Sequence, residues 1–214
     1  MDRSALVTGG AGGLGGAVVE RLRAEGWRVH APTREEADLF EPDAVAGAVA
    51  QAAADPGAPL RAVVNLVGGF EAGARVAEAP IERFETQLRL NLRPTYLVTQ
   101  AALPHLVAAG GGAVVCVSSR AAVRPFAGAA GYAASKAAVI AFAQAVAVEY
   151  AEEGVRCNAI LPSVIDTPAN RAAMPAADPA RWVTPAQLAG TIAWLCSDAA
   201  AATSGAAIPV YGRA

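Results

Sequence analysis

Ala5-Leu6-Val7-Thr8-Gly9-Gly10-Ala11-Gly12-Gly13-Leu14-Gly15-Gly16 begins as an apolar run, breaks into glycines and leads into a helix-like pattern. Glycines permit a tight turn and let backbone N–H groups approach a pyrophosphate closely. The amino end of the helix that follows adds partial positive charge. Glycines alone make only a flexible turn. Between a strand and a helix they make a phosphate cradle.

Outward from this stretch, apolar strands alternate with apolar-faced helices. Strands are expected at Ala5–Thr8, Arg28–Pro32, a short Asp38–Phe40, Ala62–Val67, Gly112–Ser118, Arg156–Leu161 and Ala206–Val210. Helices are expected at Gly13–Glu25, Pro42–Ala54, Ile81–Ala109, Gly131–Glu153 and Pro185–Ser197. Ala62-Val63-Val64 and Val114-Val115-Cys116-Val117 are continuously apolar, the pattern of strands buried on both faces. The expected fold class is α/β: a single doubly wound, Rossmann-like parallel sheet with helices on both faces, in one domain over residues 1–214. Only Arg34 to Ala37 separate the second expected strand from Asp38. That is too short for a helical crossover, so the helix between strands 2 and 3 is expected to be missing. Residues 162–185 carry Pro162, Pro168, Pro175, Pro179, Pro185 and Trp182. A loop of this length in a compact domain is expected to act as a substrate lid.

Of the 214 residues, 54% are apolar and 17% charged, which supports a large core and argues against disorder. The net charge is -2 with no basic block, so nucleic-acid binding has no electrostatic support. The longest apolar stretch, Ala137 to Val148, is interrupted by Gln144 and reads as a buried helix, so no membrane association is expected. The chain enters a strand at once, with no signal peptide expected. Cys116, Cys157 and Cys196 are far apart and odd in number, and the histidines are only His30 and His105. These suit buried thiols in a reducing, cytoplasmic setting and give no metal site.

Tyr132 and Lys136 stand four residues apart at the head of an apolar helix, so they project from one face. A phenol has a reference pKa of ~10. A nearby ammonium favours the phenolate, so such a pair can donate a proton near neutrality. Alone, Tyr-x-x-x-Lys is a common surface pattern. The rest of the chain gives it weight.

Thr8-Gly9-x-x-x-Gly13-x-Gly15 together with Tyr132-x-x-x-Lys136 resembles the short-chain dehydrogenase/reductase family over nearly the whole chain. Asn65-Leu66-Val67-Gly68 falls at the family's Asn-x-Ala-Gly turn, with Val67 in place of Ala, and Asn91 falls on its helix asparagine. Ser119 lies 13 residues before Tyr132, the family spacing. Asn158 to Thr167 resembles the Pro-Gly segment that closes over nicotinamide, with Ser163 replacing the usual Gly. The resemblance implies a catalytic set of Asn91, Ser119, Tyr132 and Lys136. Ser119 at a strand's carboxyl end would bond a substrate carbonyl, whereas Ser118 points to the other side. Tyr132 would protonate the developing alkoxide. Lys136 would lower the phenol's pKa and hold the nicotinamide ribose, and Asn91 would fix a water that relays the proton. Expected cofactor contacts are Gly9, Gly12, Gly13, Leu14 and Gly15 in the cradle, then Thr33, Arg34, Asp38 and Leu39. Asn65, Val67, Gly68, Tyr132, Lys136, Pro162, Ile165 and Thr167 complete them. Leu161 to Asp178, followed by Trp182, also resembles dihydropteridine reductases locally, as does Gly68-Gly69-Phe70.

The second expected strand ends in Ala31-Pro32-Thr33-Arg34, with no carboxylate for a free ribose hydroxyl. Arg34 can neutralise a 2′-phosphate, which favours NADP(H) over NAD(H), although Glu35 and Glu36 could pair with it instead. The leading expectation is an oxidoreductase that moves a hydride between nicotinamide and a small-molecule carbonyl or alcohol. The alternatives are a quinonoid dihydropteridine reductase and a non-catalytic dinucleotide-binding regulator. Phe70, Arg120, Phe126 and Trp182 are expected to border the substrate, with Arg124, Arg171 and Met174 nearby. Ala138, Val139, Ala141, Phe142, Ala145, Val146, Val148 and Tyr150 run nearly around one helix, so a homodimer or homotetramer is expected.

Overall fold

The glycine stretch joins β1 (Arg3–Thr8) to α1 (Gly15–Ala24). In this computed structural model, which describes residues 2–213, β1 is buried from Ser4 to Thr8. Five further strands follow: β2 (Trp27–His30), β3 (Leu60–Asn65), β4 (Gly112–Val117), β5 (Val155–Pro162) and β6 (Ala207–Val210). All pair in parallel, in the order β2-β1-β3-β4-β5-β6. The remaining helices are α2 (Pro42–Ala52), α3 (Ile81–Ala108), α4 (Ala130–Glu149), α5 (Pro168–Ala173) and α6 (Pro185–Cys196).

The unbroken apolar strands are explained by a core on each side of the sheet. Leu6, Val63, Val114 and Cys157 face a cluster with Val49 of α2, Leu106 of α3 and Val139 of α4. Ala5, Val64, Val115 and Ile160 face the other, with Leu22 of α1 and Ile192 of α6. Alternate residues of one strand thus enter opposite layers, and both layers are apolar. The sheet is doubly wound as its sequence pattern implies. The strand order reverses beside β1, which opens a crevice at the carboxyl ends of β1 and β3.

One expected element is absent. Asp38–Phe40 is a turn rather than a strand, held by the Phe40 N–H donating to Asp38 Oδ1 at 3.0 Å. With no strand there, β2 runs through this turn into α2 and on to β3, so the helix expected to be missing between strands 2 and 3 is present as α2. The physical reason lies in the side chains. Ala37 and Leu39 are buried in the α2–α3 layer, which fixes this segment without a strand partner. The alternation of buried and exposed residues imitated a strand.

Residues 162–185 are ordered by their own contacts. Thr167 caps α5, Ile165 bridges to Val183, and Arg171 grips Asp166 through two bonds of 2.6 and 2.8 Å. α4 is long and apolar enough to cross a membrane by length and composition. Here it packs along α3 and β5 as a layer of the fold.

Candidate active site

The cradle is shaped by close approach. Gly9 sits at φ +71°, and a Cβ there would lie 3.3 Å from Val67. A Cβ on Gly15 would lie 2.6 Å from Gly10 Cα, so only glycine lets α1 start this near the turn. A Cβ on Gly13 would press on Thr167 at 2.8 Å, which places the 162–185 segment against the cradle. The amino end of α1 has no side-chain cap and no acidic residue in its first turn. Its unpaired N–H groups therefore suit a phosphate, and the residues present fit a dinucleotide.

Beyond the next strands, polar groups converge at the same edge of the sheet. Lys136 is 6% exposed, and its Nζ donates to Val117 O at 3.0 Å. Ser118 Oγ donates back to Lys136 O at 2.7 Å. Ser118 is thus spent on holding α4 to β4, leaving Ser119 to face the cleft. Ser119 Oγ accepts from the Ala121 N–H at 3.1 Å, which caps the turn at Arg120–Ala122. Asn91 Oδ1 accepts from the Gly69 N–H at 3.1 Å, and its Nδ2 donates to Gln87 O and Ser135 Oγ. A Cβ on Gly68 would stand 2.6 Å from Asn91 Oδ1 and 3.1 Å from Lys136 Nζ, so this glycine keeps the turn close to both. Phe70 meets Tyr132 edge-on at 4.9 Å.

Burial pushes the Tyr132 phenol above its usual value, and a hydrogen bond with Ser119 opposes that rise. Burial lowers Lys136 to about 8, with Cys116 opposing. The sequence led us to expect Lys136 to pull the phenol down, and the geometry differs. The Lys136 ammonium lies 6.0 Å from the Tyr132 ring centroid and is bonded to a backbone carbonyl. Desolvation therefore dominates Tyr132, with Ser119 acting against it.

Other expected contacts divide. Gly12 lies in the same turn as Gly9, to whose carbonyl it donates at 3.0 Å. Leu14 and Leu39 send their side chains into the cores, so only their backbones can serve a ligand. Asn65 is also buried, donating to Thr99 Oγ1 at 3.0 Å. Its residue type bonds the layers together, and its side chain does not face the cleft. Pro162 pairs with Val210, and Ile165 packs partly on the α1–α6 layer. Thr33, Arg34 and Asp38 are exposed after β2. The Thr33 N–H donates to Glu36 Oε2 at 2.7 Å, and no described acid lies within ion-pair distance of Arg34. Trp182 is 7% exposed and belongs to the base of the 162–185 segment. Phe70 and Phe126 are exposed and 6.3 Å apart, and Arg120 lies over the Tyr211 ring at 5.8 Å. Arg124 is exposed, and Arg171 is occupied by Asp166.

Ser135 was missed at the sequence level. It accepts from Asn91 and donates to Tyr132 O at 2.8 Å, linking α3 to the first turn of α4. Its place three residues after Tyr132, on the same helix face, was the available signal. A cavity of about 850 Å³ lies at the opposite end of the sheet, among Arg3, Trp27, Arg61 and Arg156. Ligands of open α/β sheets bind at the carboxyl ends of the strands, so this cavity is not the reaction centre.

Residues 19–212 match a family profile described as enoyl-(acyl carrier protein) reductase. The chain is 32% identical over 247 residues to 2-(R)-hydroxypropyl-CoM dehydrogenase of Xanthobacter autotrophicus, covering 99% of this chain and 98% of that protein. It is 33% identical over 230 residues to the 3-oxoacyl-[acyl-carrier-protein] reductase MabA of Mycobacterium bovis, covering 99% and 92%. A short-chain dehydrogenase/reductase structure from Mycobacterium ulcerans superimposes with a TM-score of 0.88 at 28% identity, covering 100% of this chain and 90% of that one. The chain belongs to the short-chain dehydrogenase/reductase family and is an NAD(P)-dependent oxidoreductase of that type.

Lys136 gives a pH prediction. Its folded pKa is depressed to about 8 from an ordinary value near 10.5. Between those values the unfolded chain binds the extra proton, so stability attributable to this group rises with pH through that window. Below about 8 the burial penalty is fully present. Lys136→Met removes the penalty. The difference in melting temperature, variant minus native, is expected to be most favourable near pH 7 and to shrink toward pH 10.5. A difference independent of pH counts against a buried, partly neutralised lysine.

Proposed function

We propose that the protein is an NADP(H)-dependent reductase of carbonyl compounds, or dehydrogenase of the matching alcohols, with Tyr132 as its proton donor. The observation that carries this reading is the gathering of Ser119, Tyr132, Lys136 and Asn91 at the carboxyl edge of the sheet, where Lys136 Nζ donates to Val117 O at 3.0 Å and Asn91 Oδ1 accepts from the Gly69 N–H at 3.1 Å. The relatives' names, a hydroxypropyl dehydrogenase and an oxoacyl reductase, support the same substrate class.

A nicotinamide nucleotide supplies or accepts the hydride when bound. The chain's own residues handle position and protons. Ser119 donates to the carbonyl oxygen and orients it beside Tyr132. Tyr132 gives its phenolic proton to that oxygen as negative charge develops. Burial raises Tyr132 and makes it a weaker acid, so its proton moves only as negative charge develops on the carbonyl oxygen. Val117 O fixes Lys136 Nζ 6.0 Å from the Tyr132 ring centroid, and Asn91 holds the Gly68–Gly69 turn against it. A panel of ketones, aldehydes and quinonoid pterins with NADPH tests the class. Oxidation of NADPH with simple carbonyls supports it. Turnover confined to quinonoid pterin moves the assignment to pterin reduction, and no turnover with any carbonyl overturns it.

The NADP(H) preference rests on Arg34, whose guanidinium is exposed while Glu36 is engaged with Thr33. A charge-assisted phosphate contact contributes about 1.5–3 kcal/mol, or roughly 10- to 150-fold in affinity. Arg34→Ala is expected to weaken NADPH binding by such a factor and leave NADH nearly unchanged, measured by fluorescence titration. Equal affinity of the native protein for both nucleotides contradicts the preference.

We also infer a dimer or tetramer in which α3 and α4 pair with a second copy. Val148 is 79% exposed, and the Tyr96 and Phe142 rings meet at a tilt, 5.6 Å apart, between the same helices. Light scattering at micromolar concentration is expected to show at least twice 21.5 kDa, and the mass of one chain refutes it. The three cysteines are free and buried, which supports a reducing, cytoplasmic setting.

A further inference from the structure

The connection between β3 and α3 forms a pocket that the catalytic group does not use. Its volume is about 280 Å³, and Val76, Ile81, Phe84, Gln87 and Gly131 are among its walls. Two loops close around it. The Gly73 N–H donates to Gly128 O at 3.0 Å, and a Cβ on Gly128 would lie 2.7 Å from Gly73 O. Glycine at both positions lets the loops touch. Arg83 Nε bonds Glu71 at 2.6 Å, and both residues line the pocket. Val76 and Ile81 are large apolar side chains held 76% and 60% exposed.

Gln87 is the informative member. It is 3% exposed, and its Oε1 has no hydrogen-bond partner. Buried amide oxygens are nearly always paired, because an unpaired one loses its water without compensation. A bound donor would satisfy it. The backbone of the same residue is already committed, since Gln87 O accepts from Asn91 Nδ2 at 3.0 Å.

Two residues of the pocket wall are chain neighbours of residues at the reaction centre. Gly131 lines it and Tyr132 follows immediately. Glu71 lines it and follows Phe70, whose ring meets Tyr132 at 4.9 Å and Phe126 at 6.3 Å.

We propose that this pocket receives the far end of the substrate: an aliphatic chain carrying an N–H or O–H donor for Gln87 Oε1. The proposal rests on the reading of Tyr132 as proton donor and adds the substrate's shape to it. The volume falls just below the range of about 300–1,000 Å³ typical of sites that enclose a whole small molecule. It fits a chain segment. The apolar walls select methylenes, and Gln87 selects a donor at one depth.

The test is a series of 2-alkanones and ω-hydroxy-2-alkanones of increasing length, with kcat/KM measured for each. Each methylene is expected to raise kcat/KM about two- to fourfold until the pocket fills. The ω-hydroxyl should add a further gain at one length only, and Gln87→Met should remove that gain. Ala74→Trp fills the pocket and should flatten the slope of log kcat/KM against length. Ala79→Leu is a milder filling that should shorten the rise. Octanamide, which cannot be reduced by hydride, gives an independent reading by calorimetry. Binding to the native protein that Ala74→Trp weakens tenfold or more supports the pocket even where no ketone turns over, in which case the catalytic reading fails alone. A flat chain-length series in a protein that reduces short ketones, or octanamide binding that ignores both fillings, overturns the proposal.

Discussion

The structure depends on one reciprocal pair of hydrogen bonds between a helix and a strand end. Lys136 Nζ donates to Val117 O, and Ser118 Oγ donates to Lys136 O. Together they fix α4 in height and rotation over the carboxyl end of β4. A buried ammonium is costly, and a buried carbonyl at a strand end is costly too. Each relieves the other. Everything with chemical meaning follows from that seat. Tyr132 stands one turn earlier with its ring against Phe70, Ser135 reaches Asn91, and Gly68 lies against both Asn91 and Lys136.

The same economy governs the cradle. α1 can begin beside β1 only because Gly15 has no side chain to meet Gly10. The reversal of strand order beside β1 leaves the cradle and the Gly68 turn facing one crevice. Thr167, beyond β5, stands against Gly13. Three segments distant in sequence thus come into contact around the cradle, through Gly9 against Val67 and Gly13 against Thr167.

Much of this was legible in the sequence, for identifiable reasons. Buried parallel strands carry unbroken apolar runs, so Val63-Val64 and Val114-Val115 announced the sheet. Glycines at close approaches and a one-turn Tyr132/Lys136 spacing are local signals, and they survived folding intact. Long-range context was not legible. Leu39 belongs to a helix layer that no local pattern reveals, so Asp38–Phe40 read as a strand. The state of the Tyr132 phenol depends on burial, which spacing cannot supply, and burial outweighed the distant ammonium. Asn65 was expected at the cofactor, yet its amide bonds Thr99 across the layers. Gln87 gave no signal at all, because a glutamine in a helix is ordinary until its oxygen is found buried and unpaired.

The central claim is that the Tyr132 hydroxyl moves the proton while the rest of the site binds and orients. Single-turnover oxidation of bound NADPH by a reactive ketone, compared between the native protein and Tyr132→Phe, addresses it directly. The phenylalanine ring keeps the shape and removes only the proton. General acid catalysis by a positioned side chain is worth about 10²- to 10⁴-fold, so a rate loss of at least that size is expected, with NADPH affinity within about threefold of native. A Tyr132→Phe protein that oxidises NADPH at a near-native rate would contradict the account.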